Sequence, residues 1–128
     1  TIYDDDAHLF PAIAAGALFA SPALAHPKLV STTPAADASV ETPSRITLTF
    51  SEQLMPRLSG VEVIMTGMPG MPNHRMAVTG FQTSTGADGK TLIVALPRPL
   101  TTGSYQVTWH AVSADTHRIE GNFAFAVK

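Results

Sequence analysis

The sequence predicts an all-β domain: an antiparallel β-sandwich or Greek-key barrel of about seven strands, immunoglobulin-like in layout. Three observations predict it. Apolar and polar residues alternate with period two from Lys28 onward, Pro/Gly/Asp-rich turns separate the runs, and no long 3.6-period segment lies between them.

Taken in order, Ile46, Leu48 and Phe50 alternate with Thr47, Thr49 and Ser51. Successive strand side chains point to opposite faces, so such a run has one buried and one wet face. Val61 to Met65 and Leu92 to Leu96 add two apolar strands. Tyr105, Val107, Trp109 and Ala111 then alternate with Gln106, Thr108 and His110, and Phe123, Phe125 and Val127 close the chain. Trp109 is expected on an inner face, as a central core residue. Between the runs, "TPAADASVETPS", "TGADGK" and "PRPLTTGS" read as turns, and Asp88-Gly89 suits a hairpin because glycine accepts positive φ.

Composition excludes several classes. The net charge is −2 and the basic residues are scattered, so there is no nucleic-acid footprint. Beyond the N-terminus no apolar run approaches the roughly 18–20 residues of a membrane span. The chain has no cysteine, which removes disulfides, thiolate zinc sites, iron–sulfur clusters, Cys nucleophiles and blue-copper sites together. A soft metal ligand here must be Met, and a borderline one His.

Residues 1–25 read as a leader. "LFPAIAAGALFASPALA" has the apolar length of a signal peptide, and Ala23-Leu24-Ala25 forms a small-x-small cleavage site before His26. The flank "TIYDDDAH" is acidic where a cationic n-region belongs, so a retained apolar extension is the alternative. Export, with residues 26–128 as one domain, is the expectation.

Two groups of residues could carry chemistry. In "SADTH", Asp115 and His117 are two apart, so an extended backbone places both side chains on one face. Taken alone, an Asx-type turn with a surface His is the better explanation of that spacing. His26 adds to it. After cleavage the mature chain begins His-Pro, and an N-terminal His chelates a metal through its α-amine and imidazole together. Pro27 has no amide N–H to deprotonate, so positions stay open for other ligands. Adding His117 nitrogen and Asp115 oxygen gives three nitrogens and one oxygen, a set suited to tetragonal Cu(II).

The second group is "MTGMPGMPNHRM", which holds four of the chain's five methionines. Met65, Met68 and Met71 are spaced by three, and polyproline II has three residues per turn, so in that conformation their thioethers would line one edge. Met76 joins from the start of the next strand, and His74 lies close by. Thioethers favour Cu(I). The alternative is that these methionines are gap-filling hydrophobes anchoring a loop.

"HPKLVSTTPA", "MTGMPGM…M" and "YQVTWHAVSADTHRIEGNFAFAVK" together resemble the CopC family of periplasmic copper-binding proteins of bacterial copper resistance, over residues 26–128. The resemblance implies a small β-sandwich or barrel with copper sites towards its two ends. It implies Cu(II) held by His26, Asp115 and His117, and Cu(I) held by Met65, Met68, Met71 and Met76. In Met-loop members a His follows the third Met by two residues. Here Asn73 takes that place and His74 follows it. The residue after the Trp, commonly Arg in relatives, is His110, which by alternation faces away from Trp109.

The expected function is a non-enzymatic copper carrier or store that passes copper to a periplasmic or membrane partner. A copper oxygenase using the N-terminal His chelate is one alternative, weakened by the shortage of surface aromatics for a substrate face. A metal-free interaction sandwich is the other.

Overall fold

The computed structural model describes residues 27–128. Residues 1–25, read above as a leader, and His26 lie outside the described residues. Nine strands, β1 Leu29–Thr33, β2 Ser39–Val40, β3 Arg45–Phe50, β4 Gly60–Gly67, β5 Met76–Val78, β6 Gln82–Thr85, β7 Thr91–Ala95, β8 Gly103–Val112 and β9 Arg118–Val127, form two sheets. Their orders are β1-β3-β7-β6 and β2-β9-β8-β4-β5. A single 3-10 turn, Pro56–Leu58, is the only helical element among the described residues.

The predicted sandwich is present, with two refinements. The described residues hold nine strands rather than about seven, because β2 and β5 span only two and three residues and carry no readable period. Pairing is also not wholly antiparallel, since β2 runs parallel to β9.

Alternation sets the core. Ile46, Leu48 and Phe50 of β3, Leu92 and Val94 of β7, and Tyr105, Val107, Trp109 and Ala111 of β8 are all buried and form one cluster. Val63 and Met65 of β4 and Phe123, Phe125 and Val127 of β9 complete it. Phe50 meets Trp109 edge-on across the sheets, with ring centroids 5.2 Å apart and planes at 70°, an arrangement the aromatic quadrupole favours. Tyr105 is buried with its hydroxyl donating to the Thr101 carbonyl at 2.6 Å, which satisfies the one polar atom it takes into the core.

The β6–β7 connection forms at Asp88-Gly89 as expected. Gly89 has φ +71°, and Asp88 accepts from the Lys90 and Thr91 amides at 2.8 and 3.1 Å and from the Thr91 hydroxyl at 2.9 Å. The Lys90 amide first, then the Thr91 hydroxyl, hold the Asp88 carboxyl below its usual range.

The long strands β8 and β9 pair over their full length, from Gly103↔Val127 to Val112↔Arg118. β8 therefore acts as a ruler. Its ten residues span about 30 Å at roughly 3.3 Å each. One end adjoins the methionine segment and the other runs directly into Asp115 and His117.

Candidate metal centre

At the far end of β8 the chain turns through residues 113–117 before β9 begins. The Thr116 amide donates to the Ser113 carbonyl at 2.7 Å, and the Ser113 amide to the His117 carbonyl at 2.9 Å. Thr116 adopts φ +75° to close the turn. The backbone here is thus not extended, contrary to the spacing argument, yet Asp115 and His117 still meet. His117 Nδ1 lies 3.0 Å from Asp115 Oδ2, and the His117 amide reaches Oδ1 at 3.4 Å. The segment is thus an Asx-like turn with an exposed His, and within that turn the two side chains face each other.

Ser113 is buried behind this pair, and its hydroxyl donates to Asp115 Oδ1. That hydrogen bond, followed by the one from His117, lowers the Asp115 pKa below the usual carboxylate value. Hydrogen bonding to the charged form favours it, so Asp115 stays anionic further into acid than a free aspartate. Both partners remain accessible, with side chains 48% exposed for His117 and 56% for Asp115.

The β3–β4 connection supplies the neighbours. Leu54 bridges to Ser113, and the Ala114 amide donates to the Gln53 carbonyl at 2.8 Å. Glu52, Gln53 and Lys90 line a recess with Ser113, Ala114 and Asp115. Just upstream of Glu52, the Lys28 amide donates to Ser51 Oγ at 3.0 Å and the Ser51 amide to the Lys28 carbonyl at 2.9 Å. The start of the described chain is thereby tied to the same edge of the sandwich as the Asp115/His117 turn. No group of three or more His, Asp or Glu residues is gathered into a metal cluster among the described residues. The pair contributes two donors, and His26, the third expected ligand, falls outside them.

Sequence reasoning missed Ser113 and Glu52. Ser113 had a local signal, because a Ser or Asp hydrogen-bonding within a few residues is a recurrent turn device. Glu52 had none, since it reaches the recess through long-range ties, the pairing of Leu54 with Ser113 and the Ala114–Gln53 hydrogen bond.

The methionines lie at the opposite end. Polyproline II is absent there. Met68 and Met71 exchange backbone hydrogen bonds of 3.1 and 2.8 Å across Pro69-Gly70, and Gly70 has φ +82°, the conformation a type II turn needs after proline. The His74 amide then donates to the Met71 carbonyl at 3.1 Å, closing a second turn through Pro72-Asn73. Gly67 lets this loop fold back on β4, because a Cβ there would stand 2.5 Å from the Pro72 carbonyl oxygen.

Along the backbone the four methionines fall into two register pairs, Met65 opposite Met76 in β4 and β5 and Met68 opposite Met71 across the turn. Met65 is 8% exposed and belongs to the core, whereas Met71 and Met76 are 48% and 52% exposed. Met65 and Met76 line a groove with Pro97, Arg98, Leu100 and Tyr105, while His74 lines a separate recess with Met71, Pro72 and Asn73. His110, on the outer face of the five-stranded sheet, pairs with Gly60 and Glu120 and faces away from Trp109.

Fold and side chains together define a small two-sheet domain with an imidazole–carboxylate pair at one end and a methionine turn at the other. Residues 29–128 match the family model described as the CopC domain, and the chain belongs to that family. It is 49% identical over 115 residues to Copper resistance protein C of Pseudomonas syringae pv. tomato, covering 90% of each chain. Among solved structures it is similar to PcoC, described as a methionine-rich copper resistance protein from Escherichia coli. The identity is 44% and the TM-score 0.73, over 81% of this chain and all of that one. CopC from Methylosinus trichosporium OB3b aligns with TM-score 0.66 and 28% identity, over 80% and 94% of the two chains.

Proposed function

We propose that this protein binds copper as cargo in copper resistance and homeostasis, in the periplasm, and hands it to another copper-handling protein there or in a membrane. It acts as a carrier or store and not as an enzyme. The relatives' names support copper as the ion. The observation that carries the site is the 3.0 Å separation of His117 Nδ1 and Asp115 Oδ2. First-row metal bonds to nitrogen and oxygen are roughly 2.0–2.2 Å, so two cis ligands of a tetragonal Cu(II) centre sit about 2.9 Å apart. A metal held by both atoms would take the place of this hydrogen bond, with the Nδ1 hydrogen moving to Nε2 and the two side chains turning so that their lone pairs converge on the ion.

In this reading His26 completes the Cu(II) site with its α-amine and imidazole, giving three nitrogens and one oxygen. The Lys28–Ser51 pairing supports it by tying the chain just after His26 to the edge that carries the pair. An α-amine exists only if residues 1–25 have been removed. Cu(II) competition titrations are therefore expected to give much tighter binding for a chain beginning at His26 than for the chain with its leader. Equal affinities would refute the role of His26.

Cu(I) is held at the other end by thioethers. Met71 and Met76 are the accessible donors, with Met65 and Met68 behind them and His74 in the adjacent recess. Changing Met71 and Met76 together to Leu keeps bulk and hydrophobicity while removing both sulfurs. It is expected to weaken Cu(I) binding, read by competition with a Cu(I) chelator, and to leave Cu(II) binding unchanged. Unaltered Cu(I) affinity would make these side chains surface hydrophobes only. With β8 separating the ends by about 30 Å, one bound ion cannot touch both ligand sets.

A further inference from the structure

We infer that Ser113 is a positioning residue of the proposed Cu(II) site: its buried hydroxyl occupies Asp115 Oδ1, so that the carboxylate presents Oδ2, alone, beside His117 Nδ1. This rests on the copper reading of the Asp115/His117 pair and adds a residue to it that acts through Asp115 without touching the metal.

The argument begins with exposure. Asp115 and His117 are each about half exposed, so burial does not fix their rotamers, and an exposed aspartate ordinarily samples several staggered wells. Ser113 is different. It is 1% exposed, its backbone closes the turn at both its amide and its carbonyl, and it bridges to Leu54 on the neighbouring connection. A hydroxyl on so fixed a backbone is a rigid anchor. It has a single hydrogen to donate. Its acceptors are Asp115 Oδ1, which is close, and the His117 carbonyl at 3.4 Å, where hydrogen bonding is already weak. The hydrogen therefore goes to the carboxylate.

One oxygen held in this way leaves the other with a defined direction. Oδ2 points to the imidazole, and an ionised carboxylate only accepts, so a neutral His117 must carry its hydrogen on Nδ1. Partners that orient a ligand in this manner commonly change metal affinity by about 10–100-fold when removed. With Oδ1 engaged, Asp115 is a one-oxygen ligand and leaves a coordination position that a chelating carboxylate would fill.

The test uses Ser113→Ala and Ser113→Thr in the chain beginning at His26. Nitrogen-15 shifts of the metal-free His117 ring are expected to show the Nδ1–H tautomer in the wild type and in Ser113→Thr, and a mixture of tautomers in Ser113→Ala. Cu(II) affinity is expected to fall about tenfold in Ser113→Ala and to recover in Ser113→Thr. If the threonine methyl unfolds the buried turn, the tautomer comparison of wild type with Ser113→Ala decides alone. A wild-type tautomer and wild-type affinity in Ser113→Ala would overturn the inference. Failure of the copper reading looks different: Cu(II) binding would then be indifferent to His117 itself, while the metal-free tautomers would still report on the Ser113 hydroxyl.

Discussion

His117→Ala is expected to weaken Cu(II) binding by about 100-fold or more in the chain beginning at His26, as read by competition titration. Removing a group that merely orients a ligand costs about 10–100-fold, and a direct donor should reach at least the upper end of that range. The change deletes one of the two atoms whose 3.0 Å separation suits cis coordination. It should do so without harm to the fold. The ring is half exposed, and the strand pairing of β9 begins one residue later, at Arg118. An unchanged unfolding midpoint with collapsed affinity is therefore the expected pattern. Affinity within threefold of wild type would remove His117 from the site.

Phe50→Ala is expected to cost about 3–5 kcal/mol of stability, the usual range for truncating a buried aromatic. Phe50 is 1% exposed and packs edge-on against Trp109 at 5.2 Å, so the change empties the contact between the two sheets. For a domain of this size that corresponds to a fall in Tm of at least about 12 °C. Chemical denaturation should show a lower midpoint with an unaltered slope. The loss has a local consequence too. Phe50 pairs with Leu29 and its successor Ser51 pairs with Lys28, so loosening Phe50 loosens the strand that leads to His26. A cost below about 1 kcal/mol would mean that the Phe50–Trp109 contact is not central to the core.

Most of the sandwich could be read directly from alternation. Tyr105, Val107, Trp109 and Ala111 lie on the inner face because a strand alternates, and Asp88-Gly89 turns because glycine tolerates its φ. What escaped was short or non-local. β2 is two residues long and earns its place only by pairing with the end of β9. The methionine spacing of three fits one turn of polyproline II, but it also fits a turn with Pro69 and Gly70 at its centre. Gly70 was the residue that distinguished the two, since φ > 0 has no place in polyproline II. Asp115 and His117 were identified by spacing for a reason that the turn replaces, because Thr116 bends the chain and the pair forms nonetheless. Ser113 and Glu52 depend on how the connection after β3 docks against the end of β8, a contact between segments about 60 residues apart that no local pattern carries.

The central claim is that copper is held by His117 and Asp115 together with the amine and ring of His26. Electron paramagnetic resonance of the Cu(II)-loaded chain beginning at His26, recorded beside His117→Ala, tests it most directly. The account predicts a tetragonal spectrum with coupling to three nitrogens in the wild type, and loss of one nitrogen in the variant. A spectrum of free copper in the wild type, or one that His117→Ala leaves unchanged, would contradict it.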